Sequence, residues 1–584
     1  MLHQEIPDDP TLRRQWNDLV LQMEQPEVFY TFEWASAVQS AYRTILRPLL
    51  CLAYEKDILT GLVALATDAA GKSCSFLAAT TADYCEFISD ASHRAEFVAA
   101  VLGQLKELRV CDLTLANLPE DSASARAIRT VARRYGFCAY VRPAYLCAQV
   151  NLGRDDARQS LKTALLHKKK LRHYLRAMER EGPVVLTHLH SRRAIVGVLP
   201  RFVRSHVSRF LATGRISSLA SPERQHFLRE LAAQFSDAGA VTLTQMTVGD
   251  RQVAWNYGFQ FCGSWFWYLP TFDSRDESNS PGYCLLSKII IEACDLPQMR
   301  VVDLGLGAEG YKGRFGNSER QTLHTTLTLS RIRQLREVAR YRAAATLKRS
   351  PKLEAAIRRV LAGIQGTRDS LKIAGLPAFA VSLVRRLWER LFGCQEVLFY
   401  EGAQEVGQSA QFAGMSLRPI DLEVLADGVT AHPRDLETHS YLLHSAQRLR
   451  ANAGRGFALL DSGSLPVHFC WVGSFAGFHV DELKLRLGTS EPNAVVIFDD
   501  WTPTAVRGKG YCGAAARLVC EHMRLEGKST WVLRAPQDAL SLREIEGVGF
   551  QYRYLMRRRR VLAWRAAEKI CGVPSQNTKV VVGR

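Results

Sequence analysis

The chain has 584 residues, 47% of them hydrophobic and 23% charged, which predicts roughly three or four folded domains and excludes wholesale disorder. Its formal net charge of +18 indicates contact with anions such as phosphate groups, nucleic acid or a membrane surface, although a basic background charge would look the same. The 14 cysteines without a C-x-x-C pair, the polar start and the lack of an apolar run of about 18 residues predict free thiols, no metal site and a cytoplasmic location.

Residues 1–155 alternate strand-like runs with amphipathic helical patterns, and they are predicted to form one mixed α/β unit. Gly136 is a plausible helix end, because glycine readily adopts the left-handed conformation there. The predicted strands are 49–53, 61–66, 110–115 and 146–152, and the predicted helices are 93–108 and 122–135.

Residues 156–330 repeat this alternation and predict a second unit of similar length, which suggests a duplicated fold. It begins with a helix at 160–181 whose exposed face is rich in Lys and Arg from Lys168 to Arg176. That face is either solvated, a contact for an acidic or phosphorylated substrate, or a contact for RNA. Strands are predicted at 184–187, 241–248, 252–259, 264–269 and 301–304, with a helix at 283–294.

Strand patterns are missing from residues 331–394, which are predicted to be a basic helical linker. α/β patterning returns at 395–570 and predicts a separate C-terminal domain, followed by a tail at 571–584. The predicted fold class is therefore α/β with mixed sheets, in three units: a tandem pair and a C-terminal domain joined by the linker.

The most informative segment joins an apolar strand at 494–498 to a helix at 514–526 through a glycine-rich turn. The glycines permit close backbone approach to a ligand, and the helix N-terminus offers partial positive charge to a phosphate. Without other support, the segment would be read as a tight turn with two exposed cations. The predicted cofactor-binding residues of the turn are Arg507, Gly508, Lys509, Gly510, Tyr511, Cys512 and Gly513.

This turn resembles the acyl-CoA signature of the GNAT superfamily, Arg/Gln-x-x-Gly-x-Gly/Ala, with Cys512 replacing the last small residue. The resemblance covers about 170 residues and implies acetyl-CoA or another acyl-CoA as co-substrate. Asp499 and Asp500 are the nearest candidate catalytic bases, although they could equally be ordinary loop carboxylates. The tyrosine that the family often places near the leaving thiol is absent here, which leaves Ser541 or Tyr552 as candidate acids.

The first 330 residues resemble the CelD/BcsL-type acetyltransferases, which have two GNAT-like lobes in tandem and are similar to the FemXAB peptidyltransferases. The resemblance depends on the order of four segments: the aromatic block 29–34, the basic helix ending at Gly182, the turn 280–282 and the glycine-rich stretch 303–316. In the last of these, Glu309 is a candidate base and Lys312 a candidate partner for an acid or phosphate. The alternative is a structural turn with a Lys–Asp pair.

The predicted function is acyl-CoA-dependent transfer of an acyl group, expected to be acetyl, to an unknown amine or hydroxyl acceptor. The family context suggests bacterial exopolysaccharide, cellulose or envelope synthesis. Two alternatives remain: a FemXAB-like peptidyltransferase using aminoacyl-tRNA, and a non-catalytic CoA-binding scaffold at the membrane surface. Nucleic acid is the less expected partner, because no stacking-aromatic RNA motif adjoins the basic helix, whereas peripheral membrane association stays open. The sequence does not indicate the oligomeric state.

Overall fold

The computed structural model describes residues 1–236, 239–307, 310–348, 394–402, 414–481, 483–489, 491–561 and 564–571. They fall into two compact units: residues 1–206 with 221–349, and residues 207–220 with 350–584. Within the described residues, no helix combines the length and the apolar character that a membrane span requires.

Several helices begin at a side-chain cap. At Asp9, Thr31, Ser122 and Ser221, the side-chain oxygen accepts a hydrogen bond from a backbone N–H of the first turn. Their bounds are α1 Pro10–Leu21, α2 Phe32–Tyr42, α3 Arg94–Glu107, α4 Ala123–Val131, α5 Asp155–Leu166, α6 Lys169–Glu179, α7 Arg192–Ala212, α8 Pro222–Phe235, α9 Pro281–Asp295, α10 Arg331–Lys348, α11 Leu422–Ala431, α12 Leu436–Arg450, α13 Tyr511–Leu525 and α14 Ala539–Gly547.

The strands of the first unit are β1 Leu2–His3, β2 Arg47–Glu55, β3 Ile58–Thr67, β4 Ser73–Phe76, β5 Ile88–Ser89, β6 Asp112–Pro119, β7 Cys138–Asn151, β8 Val184–Leu189, β9 Val241–Val248, β10 Arg251–Phe261, β11 Ser264–Phe272, β12 Val301–Asp303 and β13 Ser318–Thr328. Those of the second unit are β14 Cys394–Gly402, β15 Ser416–Pro419, β16 Arg455–Leu460, β17 Pro466–Ser474, β18 Phe478–Val480, β19 Leu485–Leu487, β20 Val495–Trp501, β21 Thr530–Arg534, β22 Phe550–Val561 and β23 Trp564–Cys571.

One sheet runs through the whole first unit. Its order is β1-β2-β3-β4-β6-β13-β7-β12-β11-β10-β9-β8, with β5 paired to β3. Strand β13, which the sequence analysis assigned to the second lobe, lies between β6 and β7 and pairs with both. The last strand of the second predicted lobe therefore completes the sheet of the first.

The aromatic block predicted at 29–34 also connects the two lobes. The ring of Trp34 packs edge-on against Phe227 at 5.4 Å and Tyr268 at 5.5 Å between ring centroids. Phe29 contacts Phe266 at 5.2 Å in the same manner. The block therefore contributes to a shared aromatic core inside the first unit.

The same topological motif occurs three times. Among the described residues, the parallel strand pairs are β4–β6, β11–β12 and β20–β21, and a helix crosses over within each: α3, α9 and α13. All other strand pairs in the described ranges are antiparallel, so both large sheets are mixed. The predicted mixed α/β fold class is confirmed.

The second unit has an eight-stranded sheet in the order β15-β16-β17-β20-β21-β14-β22-β23 and a separate β18–β19 pair, counted over its described residues. Ile497 and Val532 face α13, whereas Val496 and Trp531 face the opposite core. Because both faces of these strands are covered, β20 begins with the apolar run Val495–Phe498, and β21 contains the apolar run Trp531–Leu533. Helix α13 buries Ala516, Val519, Cys520 and Met523, the spacing of one helical face.

Two elements differ from the predicted ones. The single helix expected at 160–181 is two helices, because Lys168 has extended backbone angles (φ −66°, ψ 110°) between α5 and α6. Its ammonium group lies 5.9 Å from the Tyr283 ring centroid and 5.4 Å from that of Phe315, a favourable cation–π arrangement.

The start of the predicted linker is helical, as expected, but it is part of the first unit. Gln334 of α10 donates a hydrogen bond to the Ala139 carbonyl at 2.8 Å, and Tyr341 packs against Tyr140. The residues 349–393 of the predicted linker and 572–584 of the predicted tail lie outside the described residues. Strand β14 begins at Cys394, the last residue assigned to the linker.

Candidate functional site

A gap opens between β20 and β21 in the second unit. The two strands pair in parallel only from Val495–Thr530 to Ile497–Val532. Asp499 has a left-handed φ of +47°, and the register of β20 against β17 shifts between Phe498 and Trp501. A bulge of this kind bends a strand, and a cavity of about 400 Å³ lies beyond the last pair.

The predicted glycine-rich turn borders this cavity. Gly508 and Gly510 have φ angles of +78° and +79°, which other residues adopt only with strain. Gly510 is the N-cap of α13, so the first turn of the helix presents backbone N–H groups without carbonyl partners inside the helix. Of the seven predicted cofactor residues, four line the cavity: Arg507, Gly508, Tyr511 and Cys512.

The other turn residues have different roles. Gly513 allows close contact with α14, because a Cβ there would lie 2.8 Å from the Glu544 carbonyl oxygen. The Gly513 N–H donates to the Glu544 carboxylate at 3.3 Å. Lys509 is exposed. Arg507 lies over the Trp501 ring at 4.8 Å and donates to the Thr502 carbonyl at 3.1 Å.

A polar cluster forms one wall of the cavity, in which Arg534 and His468 are buried and Asp500 and Cys512 are partly exposed. Asp500 accepts hydrogen bonds from the Arg534 guanidinium at 2.7 and 3.2 Å and from the Cys512 thiol at 3.3 Å. Burial alone would raise the pKa of Asp500, but the charge of Arg534 holds it below the usual value. Burial and the Asp500 charge raise the pKa of Cys512 to about 12, so Cys512 is a neutral thiol.

His468, Asp500 and Cys512 offer potential metal ligands whose atoms lie within 4.8 Å of one another. However, Arg534 already donates to both Asp500 and Cys512, the latter at 3.1 Å. The positive charge that a metal would supply is therefore provided by a guanidinium, and the cluster is organised as an ion pair.

The two predicted bases face different neighbours. Asp499 forms an ion pair with Arg448 of α12, and its carbonyl accepts the Tyr441 hydroxyl at 2.7 Å. Asp500 is the one that lines the cavity. The sequence analysis identified the two carboxylates but missed Arg534 and His468, which are 34 and 32 positions away from Asp500. No local pattern connects residues at such separations.

The predicted site in the first unit lies where β12 ends. The Lys312 ammonium is buried and donates to the carbonyls of Leu306 at 2.7 Å and Gly305 at 3.4 Å, which fixes the loop between them. Asp303 accepts hydrogen bonds from Tyr84 and Gln149, each at 2.8 Å. Glu309 lies outside the described residues, so its predicted role stays a prediction.

Other buried charges surround this loop, and the sequence analysis missed them. Burial and the neighbouring Asp303 charge raise the pKa of Asp83 to about 7. Burial also raises the pKa of Glu27 to about 8, although Arg320 donates to it at 2.6 Å. Because Arg320 belongs to β13, this pair helps to attach that strand to the first lobe.

Comparison with known proteins identifies part of the first unit. Residues 166–313 match the family model described as an acetyltransferase (GNAT) domain. This match agrees with the resemblance to the GNAT superfamily that the sequence analysis gave for this region. No curated protein matches the sequence.

Several solved structures are similar to this chain. FemX is 9% identical and covers 54% of this chain and 95% of its own, with a TM-score of 0.38. L-PGS from Bacillus licheniformis is 11% identical and covers 55% of this chain and 93% of its own, with a TM-score of 0.37. A tandem GNAT protein from the clavulanic acid biosynthesis pathway is 12% identical and covers 56% of this chain and 98% of its own, with a TM-score of 0.31. Identities this low leave the activity to be argued from the residues themselves.

Proposed function

We propose that the second unit is an acyl-CoA-dependent acyltransferase that transfers an acyl group, acetyl in the first instance, to an amine or hydroxyl acceptor. The observation that carries this proposal is the gap between β20 and β21, bordered by the glycine-rich turn at the start of α13. Twelve cysteines of the described residues are free thiols, which supports a cytoplasmic setting. A role in exopolysaccharide, cellulose or envelope synthesis is an extension from the family resemblance.

The turn suits the pyrophosphate of CoA. The Gly513 N–H already donates to Glu544. The remaining N–H groups at the start of α13 and the helix dipole favour an anion there, and Gly508 and Gly510 keep side chains away from it. Beyond Ile497 and Val532, the two strands no longer pair with each other. Their backbone groups are therefore suited to bond the amides of the pantetheine arm, as the resemblance implies.

The other two crossover helices are less suited to CoA. Helix α9 begins with Pro281, which has no N–H to donate, and it follows the 3₁₀ turn Ser274–Asn279. In that turn, Asp276 forms an ion pair with Arg251. Helix α3 has His93 as its N-cap and no glycine in the preceding four residues. This contrast supports placing CoA in the second unit.

Among the four candidate catalytic residues, Asp500 is favoured because it lines the cavity. Its lowered pKa makes it ionised at neutral pH and a weak base. It is therefore suited to hold the acceptor, or a water next to it, by a hydrogen bond. Ser541 accepts from Arg534 Nε at 2.6 Å, and its hydroxyl lies 3.6 Å from the Cys512 sulfur. To serve as the donor to the leaving thiolate, it would turn its hydrogen from that sulfur to the substrate.

The binding site is tested by two matched glycine substitutions in the full-length protein. Gly510→Val adds a branched side chain at the turn and should weaken CoA binding about tenfold or more, because donor contacts of roughly 1–3 kcal/mol are displaced. Gly527→Val is the control, since Gly527 has a similar φ of +72° but lies after the other end of α13 with open space around it.

Isothermal titration with CoA measures both variants, and circular dichroism checks that each is folded. A folded Gly510→Val protein that binds CoA as tightly as Gly527→Val would refute the proposed site. Nucleic acid retained by the purified protein, with no heat on adding CoA, would instead favour aminoacyl-tRNA as the donor.

A further inference from the structure

Arg534 uses all of its hydrogen-bonding capacity at the gap. A guanidinium has five N–H donors. In Arg534, Nε donates to the Ser541 hydroxyl at 2.6 Å, Nη1 to Asp500 at 3.2 Å and to the Leu533 carbonyl at 2.9 Å, and Nη2 to Asp500 at 2.7 Å and to the Cys512 sulfur at 3.1 Å. The side chain is only 7% exposed.

These bonds join four elements at the point where the two strands separate. Asp500 belongs to β20, Leu533 to β21 and Cys512 to the first turn of α13, while Ser541 belongs to α14. Removing a guanidinium and a carboxylate from water is expensive unless both are paired and hydrogen-bonded. The full set of partners offsets that cost and makes the arrangement of the four elements specific.

The cluster also explains why Cys512 departs from the small residue of the acyl-CoA signature. Glycine or alanine at this position would leave the second Nη2 hydrogen of Arg534 without its sulfur partner in a buried site. An unsatisfied buried donor on a charged group is destabilising. Cys512 and Arg534 therefore form a matched pair, in which a small residue supplies a weak acceptor.

We propose that Arg534 is a positioning residue for CoA binding, acting through Asp500, Cys512 and Ser541. It holds the first turn of α13, and thus its backbone N–H groups, at a fixed place relative to the separated ends of β20 and β21. Its own donors are all engaged, so it acts on the phosphate through the turn. This inference rests on the proposed function.

The test measures CoA affinity and melting temperature for variants of the full-length protein. Arg534→Met keeps an unbranched apolar stem but removes the guanidinium and its five donors, and it should weaken CoA binding about tenfold. Arg534→Lys, with three donors from one point, should restore only part of the affinity. Cys512→Ala should weaken binding about threefold, because it removes only weak hydrogen bonds: the one that the sulfur accepts from Arg534 and the one that the thiol donates to Asp500.

Combining Cys512→Ala with Arg534→Met separates positioning from general stability. If the sulfur acts through Arg534, the double variant should bind CoA no more weakly than Arg534→Met alone. The control is Arg553→Met, which removes another arginine–carboxylate pair between strands of this sheet, to Glu401 at 2.7 Å. It should leave CoA affinity unchanged at temperatures where all variants are folded.

Each outcome decides a different claim. If the unaltered protein binds CoA and folded Arg534→Met binds it equally well, Arg534 has no positioning role, while the proposed function stands. If the unaltered protein does not bind CoA, the proposed function and this inference both fail. If Arg534→Met does not fold, the CoA affinities of Cys512→Ala and Arg534→Lys test the inference instead. Unchanged CoA affinity in both variants would overturn it.

Discussion

At the scale of single residues, the second unit keeps a neutral imidazole next to the buried ion pair. His468 is 2% exposed, and its Nδ1 lies 2.8 Å from the Thr502 hydroxyl. Burial lowers the pKa of His468 to about 4, although the Asp500 charge acts in the opposite direction. A protonated His468 would bring a second positive charge beside Arg534.

This burial predicts a pH dependence of stability. An unfolded histidine binds a proton below about pH 6.5, whereas folded His468 binds one only near pH 4. The free energy of unfolding of the second unit should therefore be highest above pH 6.5 and fall by roughly 3 kcal/mol as the pH drops to 4. His468→Leu should remove most of this slope, as measured by urea titration monitored through hydrogen exchange in β17. An unchanged slope in the variant would contradict the assignment.

The sequence predicts the parts of the site whose residues are close together along the chain, and misses those whose residues are far apart along it. The turn from Arg507 to Gly513 could be singled out as a candidate, because the residues that suggest it are seven consecutive ones. Arg534 and His468 could not, since their roles exist only once β17, β20 and β21 lie side by side. The left-handed conformation of Asp499 was also hidden, because aspartate at a bulge has no distinctive sequence signal.

At the scale of elements, the cavity depends on how closely α13 and α14 pack. Gly513 permits that contact, since an added Cβ would lie 2.8 Å from the backbone oxygen of Glu544. The side chain of Tyr400 reaches the same helix and donates to Glu546 at 2.8 Å. Helix α14 is thus held both by a close backbone contact and by a hydrogen bond from β14.

Gly513→Ala should force the two helices apart and destabilise the second unit by about 1–3 kcal/mol, the usual range for overpacking. Gly547→Ala is a matched control within α14, because nothing lies within 4 Å of the added Cβ and alanine favours the helix. Denaturant unfolding of both variants measures the difference. Equal stability of the two variants would show that α14 adjusts freely.

The helix predicted at 160–181 illustrates why element boundaries were harder to predict than element types. Leu165, Leu171 and Met178 are buried on one face, as the periodic pattern indicated. At the break, the Lys168 ammonium lies near the rings of Tyr283 and Phe315, which are more than 100 positions away and so leave no local sequence signal. Tertiary contacts of this kind override local helix propensity.

At the scale of the whole molecule, the first unit is a single sheet whose central strand comes from the end of the tandem pair. Strand β13 pairs with β6 through Thr325–Leu115 and with β7 through Thr325–Val141. The sequence predicted two alternating α/β units. It did not predict that the last strand of the second lobe joins the sheet of the first, because strand order is not encoded in local periodicity. The repeated parallel pairs, by contrast, agree with the duplication suggested by the pattern.

Interrupting β13 should therefore unfold both lobes of the first unit together. Thr325→Pro removes a backbone donor in the middle of the sheet. Hydrogen-exchange protection should fall both in β2–β3 and in β9–β10. The control Thr187→Pro is in β8 at the end of the strand order, where the loss should stay local. Loss of protection in one lobe alone after Thr325→Pro would contradict a single cooperative unit.

The central claim is that CoA binds the second unit at the start of α13. The most direct test compares backbone hydrogen exchange of the full-length protein with and without saturating CoA. Exchange should slow in residues 507–516 and stay unchanged in residues 281–290, the corresponding start of α9. Protection confined to the start of α9, or none in either segment, would contradict the claim.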